Sequence, residues 1–326
     1  MMTKSLNDIK APIDDALTEF EHRFEAELKS KVSLLDTIMR FVIKRKGKQV
    51  RPLFIFLSAK ICGEINDSTY HAASLVEMLH TATLIHDDVV DESYERRGLF
   101  SINALWKNKI AVLVGDYLLS KGLLLALRNK DYDMLDILSD AVEQMSEGEL
   151  LQIEKARRLD ITEDIYYDII SKKTASLIAS CCGIGTASTS KDEKTTEHMR
   201  AFGLKVGIAF QIKDDLFDYG SADIGKPTGI DIKEKKMTLP LIYSLSQANR
   251  SEKRRIINIV KNNDNDPKKV NEVISFVVNN GGITYAENAM KTHLQEALAM
   301  LNAIQGNEEA KRNVAQLVQF VIDRKI

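Results

Sequence analysis

Proline is scarce in this chain, with 5 in 326 residues, and glycine is sparse at 16. Both residues build turns and interrupt helices. Their depletion argues against a turn-rich β fold and favours long helices. Only three cysteines occur, Cys62, Cys181 and Cys182, two of them adjacent. That pattern makes no disulfide framework, and it lacks the C-x-x-C or Cys/His spacing of a zinc site. It fits a reducing compartment. There is no basic excess either. The 45 Lys and Arg are balanced by 47 Asp and Glu, a net charge of −2, so no field exists to draw nucleic acid. No uncharged apolar run of about 18 residues appears, so no transmembrane segment is expected. The opening MMTKSLNDIKAPIDD lacks the apolar core of a secretory signal. A cytoplasmic location is the expectation.

What the chain does have is apolar residues at helical spacing. Ile13, Leu17, Phe20, Phe24 and Leu28 recur at three- and four-residue steps, which predicts a helix over 13–28. The same pattern predicts helices over 33–44, 51–63, 68–92, 110–128, 133–157, 162–189 and 192–219. Further helices are predicted over 238–248, 252–262, 268–280, 283–303 and 308–324. Two are apolar nearly all round, one through 110–125 and one through 178–184, as buried or interface helices are. No composition shift or low-complexity linker marks a boundary. The expectation is an all-α chain, one large helical bundle around a central cavity, forming a single domain over 1–326.

Acidic residues recur in one spacing. His86-Asp87-Asp88-Val89-Val90-Asp91 ends a long helix, and Asp87 and Asp91 lie one turn apart on one face. Phe210-Gln211-Ile212-Lys213-Asp214-Asp215-Leu216-Phe217-Asp218 repeats the D-D-x-x-D spacing at the end of a second apolar helix. There Gln211, Asp214, Asp215 and Asp218 form one polar stripe. One such motif alone reads equally as a solvated acidic helix terminus. Two opposed across a bundle suit a magnesium cluster that also binds phosphate oxygens.

Basic residues accompany them. In Gly47-Lys48-Gln49-Val50-Arg51-Pro52, Lys48 and Arg51 sit near a helix N-terminus, a favourable place for an anion; a basic loop paired with surface acids is the plainer reading. Arg96-Arg97-Gly98 can fork onto phosphate oxygens or form surface pairs with Glu92 or Glu95. Lys172-Lys173-Thr174 lies in a helix that soon becomes apolar. Lys226 and Lys236 lie in the one strongly loop-like stretch, 219–237. His80 lies two turns before Asp87 on the same face, where a packed core histidine is the ordinary alternative.

Together these segments resemble the trans-isoprenyl diphosphate synthase family, most closely its long-chain bacterial branch of octaprenyl and heptaprenyl diphosphate synthases. The resemblance is carried, in family order, by G-K-Q-V-R-P (47–52), H-T-A-T-L-I-H-D-D-V-V-D-E-S (80–93), R-R-G (96–98), V-G-D-Y (114–117), K-T (173–174), F-Q-I-K-D-D-L-F-D-Y (210–219), G-K-P-T-G-I-D (225–231) and K-M-T-L-P (236–240). It implies an isoprenoid-synthase bundle, usually a homodimer. Asp87, Asp91 and Asp214 would ligate Mg2+ that holds an allylic diphosphate, with Asp88, Asp215 and Asp218 nearby. Arg96, Lys173, Thr174, Gln211, Lys226 and Lys236 would serve that diphosphate. Lys48, Arg51, His80 and Arg97 would bind isopentenyl diphosphate without metal. Asp87, Asp91, Asp214, Lys173 and Arg96 are thus the expected catalytic set. The expected product is a long all-trans polyprenyl diphosphate, grown from farnesyl or geranylgeranyl diphosphate and handed to membrane enzymes, as in quinone side-chain biosynthesis.

Chain length is expected to depend on the helix that carries Asp87. Ala82 and Thr83, one turn below the acids, are small where a bulky aromatic would floor the pocket. Leu79, Val76 and Leu75 follow further down. A terpene cyclase would share the first acidic motif but not both copies with a G-K-x-x-R-P site. A non-catalytic partner subunit would not need the four cations at 48, 51, 96 and 97. A short-chain farnesyl or geranylgeranyl synthase remains the nearest alternative activity.

Overall fold

Helices form where the apolar spacing puts them. The structure, a computed structural model, describes residues 5–44, 47–96, 99–220, 229–262 and 266–323, without the side chain of Arg96. In chain order the helices are α1 (Leu6–Lys10), α2 (Asp14–Leu28), α3 (Ser33–Ile43), α4 (Val50–Cys62), α5 (Asp67–Val90), α6 (Ile102–Asn129), α7 (Tyr132–Arg158) and α8 (Glu163–Ile170). They continue with α9 (Ser176–Ala187), α10 (Glu193–Phe217), α11 (Ile230–Lys233), α12 (Leu239–Gln247), α13 (Arg250–Asn262), α14 (Pro267–Asn279), α15 (Gly282–Ala303) and α16 (Glu308–Ile322). Among the described residues the sheet is one hairpin, in which β1 (Glu95–Arg96) pairs antiparallel with β2 (Leu99–Phe100). The all-α expectation holds.

Helix α9 is the centre of the bundle. Cys181, Cys182 and Ile184 on it are fully buried, and α4, α7 and α10 pack around it. Such a helix has no polar face to give to water, so burial on all sides is its stable state. Helix α10 in turn rests on α15, and α5 pairs along its length with α6. Helix α5 starts cleanly because Asn66 caps it. The Asn66 side chain accepts from the Thr69 N–H at 3.3 Å, and the Thr69 hydroxyl accepts from the Asn66 N–H at 3.3 Å.

Three features depart from the sequence expectation. The helix predicted over 162–189 is broken by a π-helical turn, Ser171–Ala175, between α8 and α9. Tight packing fixes that turn. A Cβ on Gly148 of α7 would lie 2.8 Å from the Lys173 nitrogen, and one on Gly207 of α10 would lie 2.5 Å from the Ala175 Cα. Only glycine lets two helices approach so closely. Helix α6 begins at Ile102 rather than near 110, and Lys107 interrupts it with φ 71° and ψ 159°.

The third departure concerns α6 as a whole. By length and composition it is apolar enough to cross a membrane, whereas no such segment was expected. Asp116 and Lys121 break its apolar run, which hides the segment from a search for uncharged stretches. Only 33% of its most apolar window is buried within the chain. Val112, Leu113, Leu123, Leu124 and Leu127 are all exposed, and they recur along one face.

Candidate active site

The π-turn, the end of α10 and the segment after α11 enclose a cavity of about 280 Å³. Lys173, Thr174, Gln211, Asp214, Asp215 and Lys236 all line it, so six residues singled out in the sequence meet in one place. A π-turn widens the helix and re-aims its side chains, and such turns gather at functional sites. Here it presents Lys173 and Thr174 together. The Lys173 ammonium pairs with Glu149 and reaches Gln152 at 3.4 Å. The Thr174 hydroxyl donates to the Gln211 side-chain oxygen at 2.9 Å.

Three carboxylates, Asp214, Asp215 and Asp231, line the same cavity. Burial pushes Asp215 up to about 7, helped by the charges of Asp231 and Asp214 and opposed by hydrogen bonds from Tyr166 and Gln211. Burial also raises Asp231 to about 6, with the charge of Asp218 adding to it and Lys236 pulling the other way. Burial works against the charge of Lys236, but its pairing with Glu234 at 2.5 Å and Asp231 at 3.8 Å outweighs that and raises it. Buried carboxylates gathered at one cavity, with oxygen the only donor, fit a hard divalent cation. Among the described residues, no group of three or more His, Cys, Asp or Glu side chains is arranged to hold a metal by itself. The donor set is one that substrate oxygens would complete.

The two acidic motifs are not equivalent residue by residue. Asp87 and Asp91 are exposed, one turn apart at the end of α5. Asp88 is buried, about 100° round the helix from Asp87. Asp218 is buried as well. Its two oxygens accept the backbone N–H groups of Ile230 at 2.7 Å and Asp231 at 3.2 Å, which ties α11 back to α10. Asp215 keeps its place in the cavity wall, but both its oxygens accept from protein donors, Tyr166 at 2.7 Å and Gln211 at 2.9 Å.

Lys48, Arg51 and His80 do not line this cavity. Arg51 on α4 is held by Glu77 of α5 through Nε at 2.8 Å. The Lys48 ammonium stands 5.7 Å from the ring centre of Phe320 on α16. His80 is half-buried on α5, and its carbonyl accepts from the Thr83 hydroxyl at 2.9 Å. Arg97 and Lys226 lie outside the described residues, as does the side chain of Arg96. Several residues of the site were missed by the sequence reading: Tyr166, Asp231, Gln152, Glu149, Glu77 and Asn103. Asn103 is buried and donates to the Asp88 carbonyl at 3.0 Å and the Ser93 carbonyl at 3.1 Å, fixing the chain just after the first motif. Of these, only Asp231 carried a signal, since it closes the segment G-K-P-T-G-I-D.

A second cavity, of about 230 Å³, lies between α5, α6 and α7. Leu75, Leu79, Leu118, Gly122, Leu138 and Val142 help line it, and its surface is almost wholly apolar. Val76 is fully buried and takes no part in it, whereas Leu79 lines it. Ala82 is fully buried on the same face, one turn nearer the acids.

A helical bundle with lysines and carboxylates at one cavity, and a separate apolar cavity between α5, α6 and α7, suits a transferase whose substrates join an apolar chain to a charged head. The family model described as polyprenyl synthetase matches residues 32–277, and the chain belongs to that family. It is a trans-polyprenyl diphosphate synthase, an enzyme that transfers prenyl groups. The all-trans-nonaprenyl-diphosphate synthase (geranyl-diphosphate specific) of Rhodobacter capsulatus is 34% identical over 320 residues, 97% of each chain. A short chain isoprenyl diphosphate synthase of Methanothermobacter thermautotrophicus is 31% identical over 322 residues, 95% of this chain and 98% of that one. The crystal structure of a polyprenyl synthase from Caulobacter crescentus, complexed with calcium and isoprenyl diphosphate, aligns over 100% of both chains with a TM-score of 0.88 at 28% identity. Relatives at similar identity thus differ in product length.

Proposed function

We propose that the chain adds isopentenyl units to farnesyl or geranylgeranyl diphosphate, with magnesium, to make a long all-trans polyprenyl diphosphate. The observation that carries this reading is the pair of cavities. One joins two lysines, an amide and carboxylates. The other is apolar and lies beside Leu79 and Leu75, about 12 to 18 Å down α5 from Asp87.

Asp87 and Asp91 of the first motif and Asp214 of the second would hold the divalent cation. When bound, it supplies charge that neutralises the leaving diphosphate. The protein's own groups do the rest. Lys173, Lys236 and the Gln211 amide, with Arg96 and Lys226, bind the oxygens of the allylic diphosphate and stabilise charge as it grows there. Lys48, Arg51, His80 and Arg97 bind isopentenyl diphosphate, and Glu77 holds the Arg51 fork in place. The allylic carbon–oxygen bond breaks, and its electron pair leaves with diphosphate. The isopentenyl double bond attacks the allylic carbon and forms the new carbon–carbon bond. A proton then passes to the departing diphosphate and a new double bond closes the unit. Breaking that bond leaves positive charge on the allylic carbon, and apolar walls keep water from it, as the chemistry requires. No side-chain nucleophile is needed.

A homodimer suits the exposed apolar face of α6. A reducing, cytoplasmic setting suits the three thiols, none of which forms a disulfide. Diphosphate release from isopentenyl plus farnesyl diphosphate, with and without magnesium, tests the reading. Release that needs both substrates and the metal is expected. Release from farnesyl diphosphate alone would mark a cyclase instead.

A further inference from the structure

Tyr166 sits on α8, outside every motif of the sequence, yet it is 4% exposed and lines the diphosphate cavity. Its hydroxyl donates to Asp215 Oδ2 at 2.7 Å. Asp215 Oδ1 accepts from Gln211 Nε2 at 2.9 Å. Gln211 Oε1 accepts from the Thr174 hydroxyl at 2.9 Å. We propose that Tyr166 is a positioning residue for the allylic diphosphate, acting through Asp215 to fix the Gln211 amide. The proposal rests on the functional reading above.

Every donor and acceptor along this row of contacts is engaged but one. A phenol has one hydrogen, and here it goes to Asp215. The carboxylate then accepts on both oxygens, from Tyr166 on one side and Gln211 on the other. The Gln211 amide has one oxygen and two N–H groups. Thr174 takes the oxygen and Asp215 takes one N–H. The remaining N–H is left for a ligand in the cavity that Gln211 lines, and it asks for an acceptor such as a diphosphate oxygen. A flipped amide would set its oxygen against the Asp215 carboxylate, which is repulsive. Asp215 therefore fixes the sense of the amide, and Tyr166 holds Asp215 where it can do so. Without the phenol hydrogen, a buried acceptor loses its partner and turns or draws in water. The Gln211 donor then loses its aim, and the allylic diphosphate is the substrate that notices.

Tyr166→Phe keeps the ring packing and removes only the hydroxyl. Steady-state kinetics would be measured on it with farnesyl and isopentenyl diphosphate, beside its melting temperature and calorimetric binding of inorganic diphosphate with magnesium. The expected result is a KM for farnesyl diphosphate raised about tenfold, as the loss of a hydrogen bond to a charged group allows, with weaker diphosphate binding and an unchanged KM for isopentenyl diphosphate. Thr174→Val frees the same amide from its other side and should give the same split, which keeps the test alive if Tyr166→Phe does not fold. A Tyr166→Phe enzyme with a lower melting temperature but native KM values and native diphosphate binding would make the tyrosine a packing residue and overturn the proposal. Equal rises in both KM values would overturn it too. A wild-type enzyme that binds diphosphate but releases none from the two substrates would instead sink the functional reading.

Discussion

Lys107 carries a conformation that side chains avoid. At φ 71° and ψ 159° its Cβ is crowded by its own backbone, a region populated almost only by glycine. Strain of this kind costs roughly 1–3 kcal/mol, and the side chain is exposed, so nothing in the core depends on it. Glycine relieves the strain but loses about 0.5–1 kcal/mol to the entropy of the unfolded chain. Lys107→Gly should therefore stabilise the protein by about 1 kcal/mol, a melting temperature roughly 2 °C higher. Thermal unfolding followed by circular dichroism checks this, and a lower midpoint would show that Lys107 makes a contact worth more than its strain. The D-D-x-x-D spacing was legible in the sequence because helical geometry alone puts first and last acids on one face. Which oxygens are spoken for was not legible. The donors to Asp215 and Asp218 include a phenol 49 residues away and a backbone N–H 12 residues away, and no local pattern encodes either contact.

Among the elements, α5 does most to connect chemistry with product. Its far end carries Asp87 and Asp91, and its middle lines the apolar cavity through Leu79 and Leu75. Ala82 lies between the two on the same face. Ala82 is fully buried, so an aromatic ring there must displace its neighbours or enter the space along α5 between the acids and the cavity floor. Ala82→Phe should shorten the product to farnesyl or geranylgeranyl length, and Leu79→Phe, a turn further down, should shorten it less. Thin-layer analysis of the two variants decides it, and unchanged products from both would place the floor on another helix. The existence and order of the helices were readable from apolar periodicity. The π-turn at 171–175 was not, because Ser-Lys-Lys-Thr-Ala is a sequence that an α-helix would accept. What forces the turn is packing, with Gly148 and Gly207 closing on it from two other helices.

At the scale of the whole molecule, the apolar face of α6 is the feature least explained by a single chain. Leu113 is 56% exposed and Leu124 44%, and Leu150 and Ile153 of α7 add to the uncovered surface. Apolar faces of this length are normally covered by protein. If a second copy covers this one, Leu113→Arg with Leu124→Arg should convert a dimer to a monomer in analytical ultracentrifugation while leaving each bundle folded. A wild-type chain that sediments as a monomer would mean that another partner covers the face. On the function proposed above, a prenyl chain grows in the cavity beside α5 while its diphosphate stays among Lys173, Gln211 and Asp214. The most direct test is mass analysis of the products formed from carbon-13-labelled isopentenyl diphosphate and farnesyl diphosphate with magnesium. The expected product is an all-trans polyprenyl diphosphate longer than geranylgeranyl, with a label in every added unit. A product that stops at geranylgeranyl length, or no elongated product at all, would overturn that reading.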